Sequence, residues 1–408
     1  MSYLFVMILL IWYDFITPVY GLSQNWLSLF GNDISAYFVK GVCITILSMT
    51  SISVSYVILL AKYPRVINLT DDYYIPVSKI RIIMLSGVIG LCLWASLSGF
   101  SISSLFLLNF FKGSSALNLS WDDATFDSYN YLKQCVEFLM PGLVFVFASK
   151  EMKLKEKVFW FLLALILFIS LSFRYRIIVV FFSILMFSIF KNGFNRRLII
   201  NYSAALLILI VFNVAFGNAR TYIKAVTRGV DIDMVALEDR QDAMSNESLG
   251  DSVFKYTRNY ISNMSLIKYI DQGYVDYDYG SSMFYQVLVR ALPAFFFGGD
   301  KPFPQSLQAS ADSWHSNEGL TAGEAFTYVL EFYFSFGIFG VVFLSIMMGA
   351  IIFLFSRVLD GVFNIILVSV TTALLFQYVV RGFLPGFLMS YMFVLIPFIY
   401  IKYSKSNN

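Results

Sequence analysis

Charge is scarce in this sequence. Asp, Glu, Lys and Arg make up 13% of its 408 residues, against roughly 25% in a soluble domain. With 58% hydrophobic and 18% aromatic residues, that shortfall excludes a soluble enzyme, a nucleic-acid-binding module and a disordered scaffold, because most of the chain must meet lipid. The formal net charge of +3 is too small to point to a polyanionic partner. Cysteine is scarce too. Cys43, Cys92 and Cys135 each sit inside or at the edge of an apolar stretch, a placement that argues against a disulfide framework and against a cysteine metal centre. There is one histidine, His315. No internal repeat, low-complexity tract or soluble linker domain interrupts the chain.

What is present is a series of long apolar runs. About 20 apolar residues cross a bilayer as a helix, fewer where helices are buried among others. Ten segments qualify: 4–20, 37–60, 82–100, 132–147, 158–173, 177–190, 198–216, 326–355, 362–380 and 383–401. The first lacks a basic start and carries Asp14 and Pro18, so it reads as a retained span rather than a signal peptide. The expected fold is therefore an all-α polytopic membrane protein with about ten transmembrane helices.

Short loops rich in Lys and Arg stay cytoplasmic. Lys62, Arg65, Lys79 and Arg81 share one loop, Lys150, Lys153, Lys155 and Lys157 a second, and Lys191, Arg196 and Arg197 a third. Arg357, Lys402 and Lys405 fall on the same side. The opposite short loops and span ends hold Lys40, Lys112, Lys133, Arg174, Arg176 and Arg381, which places both termini in the cytoplasm. Residues 1–217 are then N-terminal transmembrane helices, 218–325 a large periplasmic loop, and 326–408 C-terminal transmembrane helices.

That loop is far too long to be a turn. It holds nine Lys/Arg and 14 Asp/Glu, so it is acidic overall yet studded with arginines. Within it, Val253, Phe254, Tyr260, Ile261, Met264, Ile267 and Ile270 recur at roughly helical spacing, which predicts a helix lying on the bundle or at the lipid interface. The stretch 281–298 is apolar but interrupted by Arg290 and Pro293, and reads as re-entrant or interfacial rather than spanning.

Arginines at the outer face are the main chemical signal. Arg174-Tyr175-Arg176 forms a tight external turn between two spans, where cations are disfavoured. A guanidinium is always charged and its planar fork holds phosphate oxygens bidentately, so this placement suits a lipid-linked diphosphate; headgroup snorkelling is the plainer alternative. Arg381 sits at the outer start of the last span, Arg220 just beyond the seventh, and Arg290 in the loop. His315 lies in the run Asp312-Ser313-Trp314-His315-Ser316-Asn317-Glu318, where an imidazole could take a proton from a sugar hydroxyl; an ordinary loop histidine is the plainer alternative. Among carboxylates within the spans, Asp14, Glu137 and Glu331, the last falls near the outer end of its span and not far from Glu324. Asp231-Ile232-Asp233 and Asp276-Tyr277-Asp278 have the spacing of a divalent-cation pair, but nothing evident completes the shell. Asn118-Leu119-Ser120 and Asn263-Met264-Ser265 match the short glycosylation acceptor pattern and carry no weight.

Ser172-Phe173-Arg174-Tyr175-Arg176, Arg290-Ala291-Leu292-Pro293 with Lys301-Pro302, His315-Ser316-Asn317 followed by Glu331 and Gly337-Ile338-Phe339-Gly340, and Arg381-Gly382 occur in this order. In that order and topology the chain resembles the bacterial O-antigen polymerases (Wzy), the oligosaccharide repeat-unit polymerases, within the wider group that includes the O-antigen ligases. The histidine is more characteristic of the ligases. The resemblance implies a GT-C-like polymerase/ligase architecture in the bacterial inner membrane. It also implies a glycosyltransferase that moves an undecaprenyl-diphosphate-linked glycan onto a lipid-linked repeat unit at the periplasmic face. Arg174, Arg176, Arg220, Arg290 and Arg381 would receive the diphosphate; His315 would be the base, with Glu324 or Glu331 as substitutes. No metal and no cofactor is required, and a chain-length regulator is an expected partner besides the membrane lipid. An O-antigen ligase is the nearest alternative. A lipid-linked oligosaccharide flippase, the alternative of another class, would have little use for one long external loop.

Overall fold

The computed structural model describes residues 2–24, 33–63, 75–97, 130–170, 174–193, 259–298, 301–314, 326–357 and 361–403, with a few single positions between 196 and 257. Every regular element among the described residues is helical. In chain order these are α1 (Ser2–Ser23), α2 (Phe38–Lys62), α3 (Val77–Leu97), α4 (Tyr131–Ala148), α5 (Leu154–Ser170) and α6 (Arg174–Asn192). They continue with α7 (Asn259–Asp271), α8 (Gln286–Ala291), α9 (Gln305–Trp314), α10 (Tyr328–Arg357), α11 (Gly361–Arg381) and α12 (Leu384–Tyr403). Inside a bilayer each amide must bond within its own segment, so apolar runs of this length have no alternative to the helix.

Eight described helices are long and apolar enough to cross a membrane: α1 to α4, α6, and α10 to α12. They coincide with eight of the ten expected spans, and a polytopic membrane protein follows. The expected span at 158–173 is α5, a helix of 17 residues that begins earlier, at Leu154. Most of 198–216 lies outside the described residues.

The chain divides into two compact units. The first joins residues 1–73 to 257–392. Its backbone is the packing of α2 along α10. Gly349 lets the two main chains meet, since a Cβ there would stand 2.6 Å from the carbonyl oxygen of Ile52. Hydroxyls tie the same seam: Ser48 bonds Tyr328 at 2.9 Å and Ser345 at 2.7 Å, and Ser55 donates to the Ile346 carbonyl at 2.8 Å. Small residues and interhelical hydroxyl bonds are what holds helices together where water supplies no hydrophobic drive.

Of the two settings expected for α7, the structure has the one on the bundle, packed against α2, α9 and α10. Eight consecutive residues, Tyr260 to Ile267, are buried, so the helix is enclosed on every side and does not lie at the lipid interface. Its apolar spacing is compatible with one exposed face, but Ser262, Asn263 and Ser265 occupy the others and are buried as well. Asn263 explains how a polar residue is accommodated there. Its Nδ2 donates to Asp14 of α1 and to the Thr327 hydroxyl, both at 2.9 Å, while its Oδ1 accepts from the Thr327 amide at 2.9 Å. A buried side chain so engaged is no glycan acceptor.

The stretch 281–298 is a broken element. A single π turn, Ser281–Tyr285, leads into α8, and the helix stops before Pro293. Eleven helical residues reach only about 16 Å, too short to cross. Asp278 caps its start, accepting from the amides of Gly280 at 2.9 Å and Ser282 at 2.8 Å. This half of the acidic pair thus serves as a helix cap.

The second unit joins residues 74–256 to 393–408. In it α3 packs on α4 through glycine: a Cβ on Gly90 would lie 2.4 Å from the Cβ of Cys135. Lys157 closes the end of α4 by donating to the carbonyls of Phe147 and Ser149, at 3.5 and 2.6 Å. On the surface Arg81 pairs with Glu156, and that guanidinium holds the Glu156 carboxyl below its ordinary range.

Candidate functional site

The first unit gathers several candidates around one turn, Arg381-Gly382-Phe383-Leu384, between α11 and α12. Gly382 and Phe383 both have left-handed backbones, with φ of 55° and 56°. A side chain at Gly382 would be strained in that conformation and would also stand 2.9 Å from the Phe326 ring. The turn is held from three sides. Asn259, the first residue of α7, donates to the Val380 carbonyl. Phe326 packs beneath Gly382. Glu331 of α10, fully buried, accepts the Leu384 amide through both carboxylate oxygens, at 2.9 and 3.1 Å, and is hydrogen-bonded to Tyr378.

A carboxyl oxygen at a helix start answers amide hydrogens that no carbonyl receives. Glu331 therefore positions the turn.

A further cation meets the same turn, and a second is tied to the backbone of the first. The Arg290 guanidinium lies over the Phe383 ring, 4.5 Å from its centroid, a favourable placement of a delocalised cation. Lys301 donates to the Arg290 carbonyl at 3.3 Å and is only 8% exposed. Gln286 donates to the Pro302 carbonyl at 2.9 Å. The segments Arg290 to Pro293 and Lys301-Pro302, adjacent elements in the sequence pattern, are thus stitched into one structure. Burial draws Arg290 down to about 10, which leaves it charged at neutral pH. Burial, then the nearby Arg290, draws Lys301 down to about 8. Arg381 is exposed on the turn itself. Two arginines and a lysine thus belong to one small assembly.

Arg176 has a different setting. In the second unit its Nε donates to Glu137 Oε1 at 2.8 Å, Nη2 bonds the same oxygen, and both residues are buried. The guanidinium edge that an external diphosphate would need is turned to a partner inside the helix bundle. Arg174 begins α6, and its side chain lies outside the described residues, as do Arg220, His315, Glu324 and the pair Asp231 and Asp233. Among the described residues no group of three or more His, Cys, Asp or Glu is placed to hold a metal ion.

Sequence reasoning singled out Arg290, Glu331 and Arg381 but not Lys301, which it treated as part of a motif. Its signal is weak at that level: one lysine among nine loop cations, distinguished only by burial. Asn263, Asp278 and Tyr378 were missed as organisers because polar residues in or beside apolar runs do not announce their partners. Comparison with protein-family models, curated proteins and solved structures gives no match to this chain.

Proposed function

We propose that the chain is a glycosyltransferase of surface-polysaccharide assembly, a polymerase that transfers an undecaprenyl-diphosphate-linked glycan onto a lipid-linked repeat unit at the periplasmic face of the inner membrane. The observation that carries this reading is the gathering of Arg290, Lys301 and Arg381 around one buried-glutamate-capped turn. The order of the sequence motifs adds to it.

The chemistry asks for such a site. An acceptor hydroxyl attacks the anomeric carbon of the donor glycan, the carbon–oxygen bond to the diphosphate breaks, and the diphosphate departs with the bonding electrons. Its negative charge grows as the bond breaks, so fixed cations facing it lower the barrier. Arg290 and Arg381 supply planar forks, and Lys301 a compact charge. A base takes the hydroxyl proton; His315 and Glu324 are the candidates, since Glu331 is engaged in capping α12. The scheme needs no metal.

The test is the surface-polysaccharide gel ladder of the host with the gene deleted and then restored. Loss of the ladder with core carrying one repeat unit retained, reversed on restoration, supports the polymerase. Loss of even the single repeat assigns the chain to ligation or to flipping instead, and the face of the membrane on which lipid-linked repeats accumulate separates those two.

A further inference from the structure

The end of α7 and the chain that follows it carry a second surface. Gly273, with φ of 74°, terminates the helix. The Tyr274 amide then returns to the Tyr269 carbonyl at 3.1 Å, which stacks the two tyrosine rings 5.0 Å apart at 22°. One face of Tyr274 is used in that stack, and the residue remains 67% exposed. Five residues on, Tyr279 is 77% exposed and has a left-handed backbone, φ 50°. That conformation is unfavourable for a bulky residue. Asp278 on one side and Gly280 on the other are buried and bonded together, so the Tyr279 ring is held outward by a rigid cap.

Polar groups frame these rings. Lys40 of α2 bonds both oxygens of Asp271 at 2.6 Å and stands 5.5 Å from the Tyr333 ring. Tyr333 donates to Asp271 at 3.4 Å and meets Tyr277 edge-on at 5.9 Å. Gln272 and Asp276, two residues to either side of Tyr274, are exposed.

We propose that Tyr274 and Tyr279, with Gln272 and Asp276 on either side of Tyr274 in the chain, form a saccharide-binding subsite. A sugar ring has a face of C–H bonds whose partial positive charge suits the negative face of an aromatic ring, and hydroxyls at its rim that donate to carboxylates and amides. Interfacial tyrosines that bind phospholipid are the rival occupant. Asp276, exposed beside Tyr274, is acidic and opposes an anionic headgroup, and the Lys40 ammonium that such a headgroup would seek is already held by both oxygens of Asp271. The inference rests on the proposed function for the role of the glycan, as the growing chain or its acceptor, but not for the binding itself.

The experiment uses the full chain in lipid nanodiscs and the host's own repeat-unit oligosaccharide, freed of lipid and diphosphate, followed by saturation-transfer NMR. Tyr274→Ala and Tyr279→Ala are each expected to weaken binding about tenfold. Tyr274→Trp should keep it, and Tyr403→Ala, which removes another exposed tyrosine, should leave it unchanged. Undiminished binding in both alanine variants overturns the subsite, as does an effect of those variants on phospholipid association alone. Glycan binding that persists when deletion of the gene leaves the ladder intact would remove the polymerase reading while the subsite stands.

Discussion

Glu331 and Leu384 are joined through both oxygens of one carboxylate and one amide hydrogen, across 53 positions of sequence. The link fixes the turn that carries Arg381 and Phe383, so Glu331 acts on chemistry only through geometry. Glu331→Gln keeps an acceptor oxygen and is expected to retain most polymer. Glu331→Ala leaves the amide buried without a partner, at a cost of about 1–3 kcal/mol, and should shorten polymer and lower the unfolding temperature. Complete loss of polymer in the glutamine variant at wild-type stability would return Glu331 to the role of base.

Arg290→Lys and Arg381→Lys keep the charge and lose the fork. Each should slow transfer by about 10²-fold if the diphosphate is held at this turn. Single-turnover transfer from a lipid diphosphate donor reads this directly, and unchanged rates in both variants would remove the site.

Lys301 is drawn down to about 8, so its charge is present below that pH and fades above it. The KM for the lipid-linked donor should therefore rise as pH passes through about 8, while Lys301→Arg should flatten the profile. The sign for stability is the reverse. The folded state binds fewer protons than the unfolded chain between about 8 and the usual lysine value, so stability gains with pH over that range.

Arg176 and Glu137 form a buried pair, and removing one partner leaves the other charge uncompensated. Arg176→Ala is expected to cost about 3–5 kcal/mol, whereas Arg176→Met combined with Glu137→Leu should recover most of it. Thermal unfolding in detergent measures both. Equal loss in the single and double variants would mean that the arginine is needed for something other than its partner.

Most spans are legible in the sequence because lipid leaves an apolar run of 20 residues one option. Distance in sequence hides the rest. Nothing near Arg176 names Glu137, and an arginine at an apparent span end looks the same whether it faces phosphate or a carboxylate. The burial of α7 was hidden for a related reason: the groups that satisfy Asn263, Asp14 and Thr327, come from distant parts of the chain. The break in α10 shows only once built. Phe336 and Gly337 leave helical geometry, and the Phe334 carbonyl receives the Asp278 amide at 3.2 Å.

The bond from Asn263 to Asp14 also sets an order of assembly. Asp14 is made with α1, yet its partner is translated almost 250 residues later, and Thr327 later still. Throughout that interval the ribosome is producing the whole of the second unit up to residue 256. The first helix must wait, its acid unmatched, for the middle of the chain to arrive. A chain that ends before residue 263 therefore lacks the amide that Asp14 bonds, whatever else of the bundle it has made.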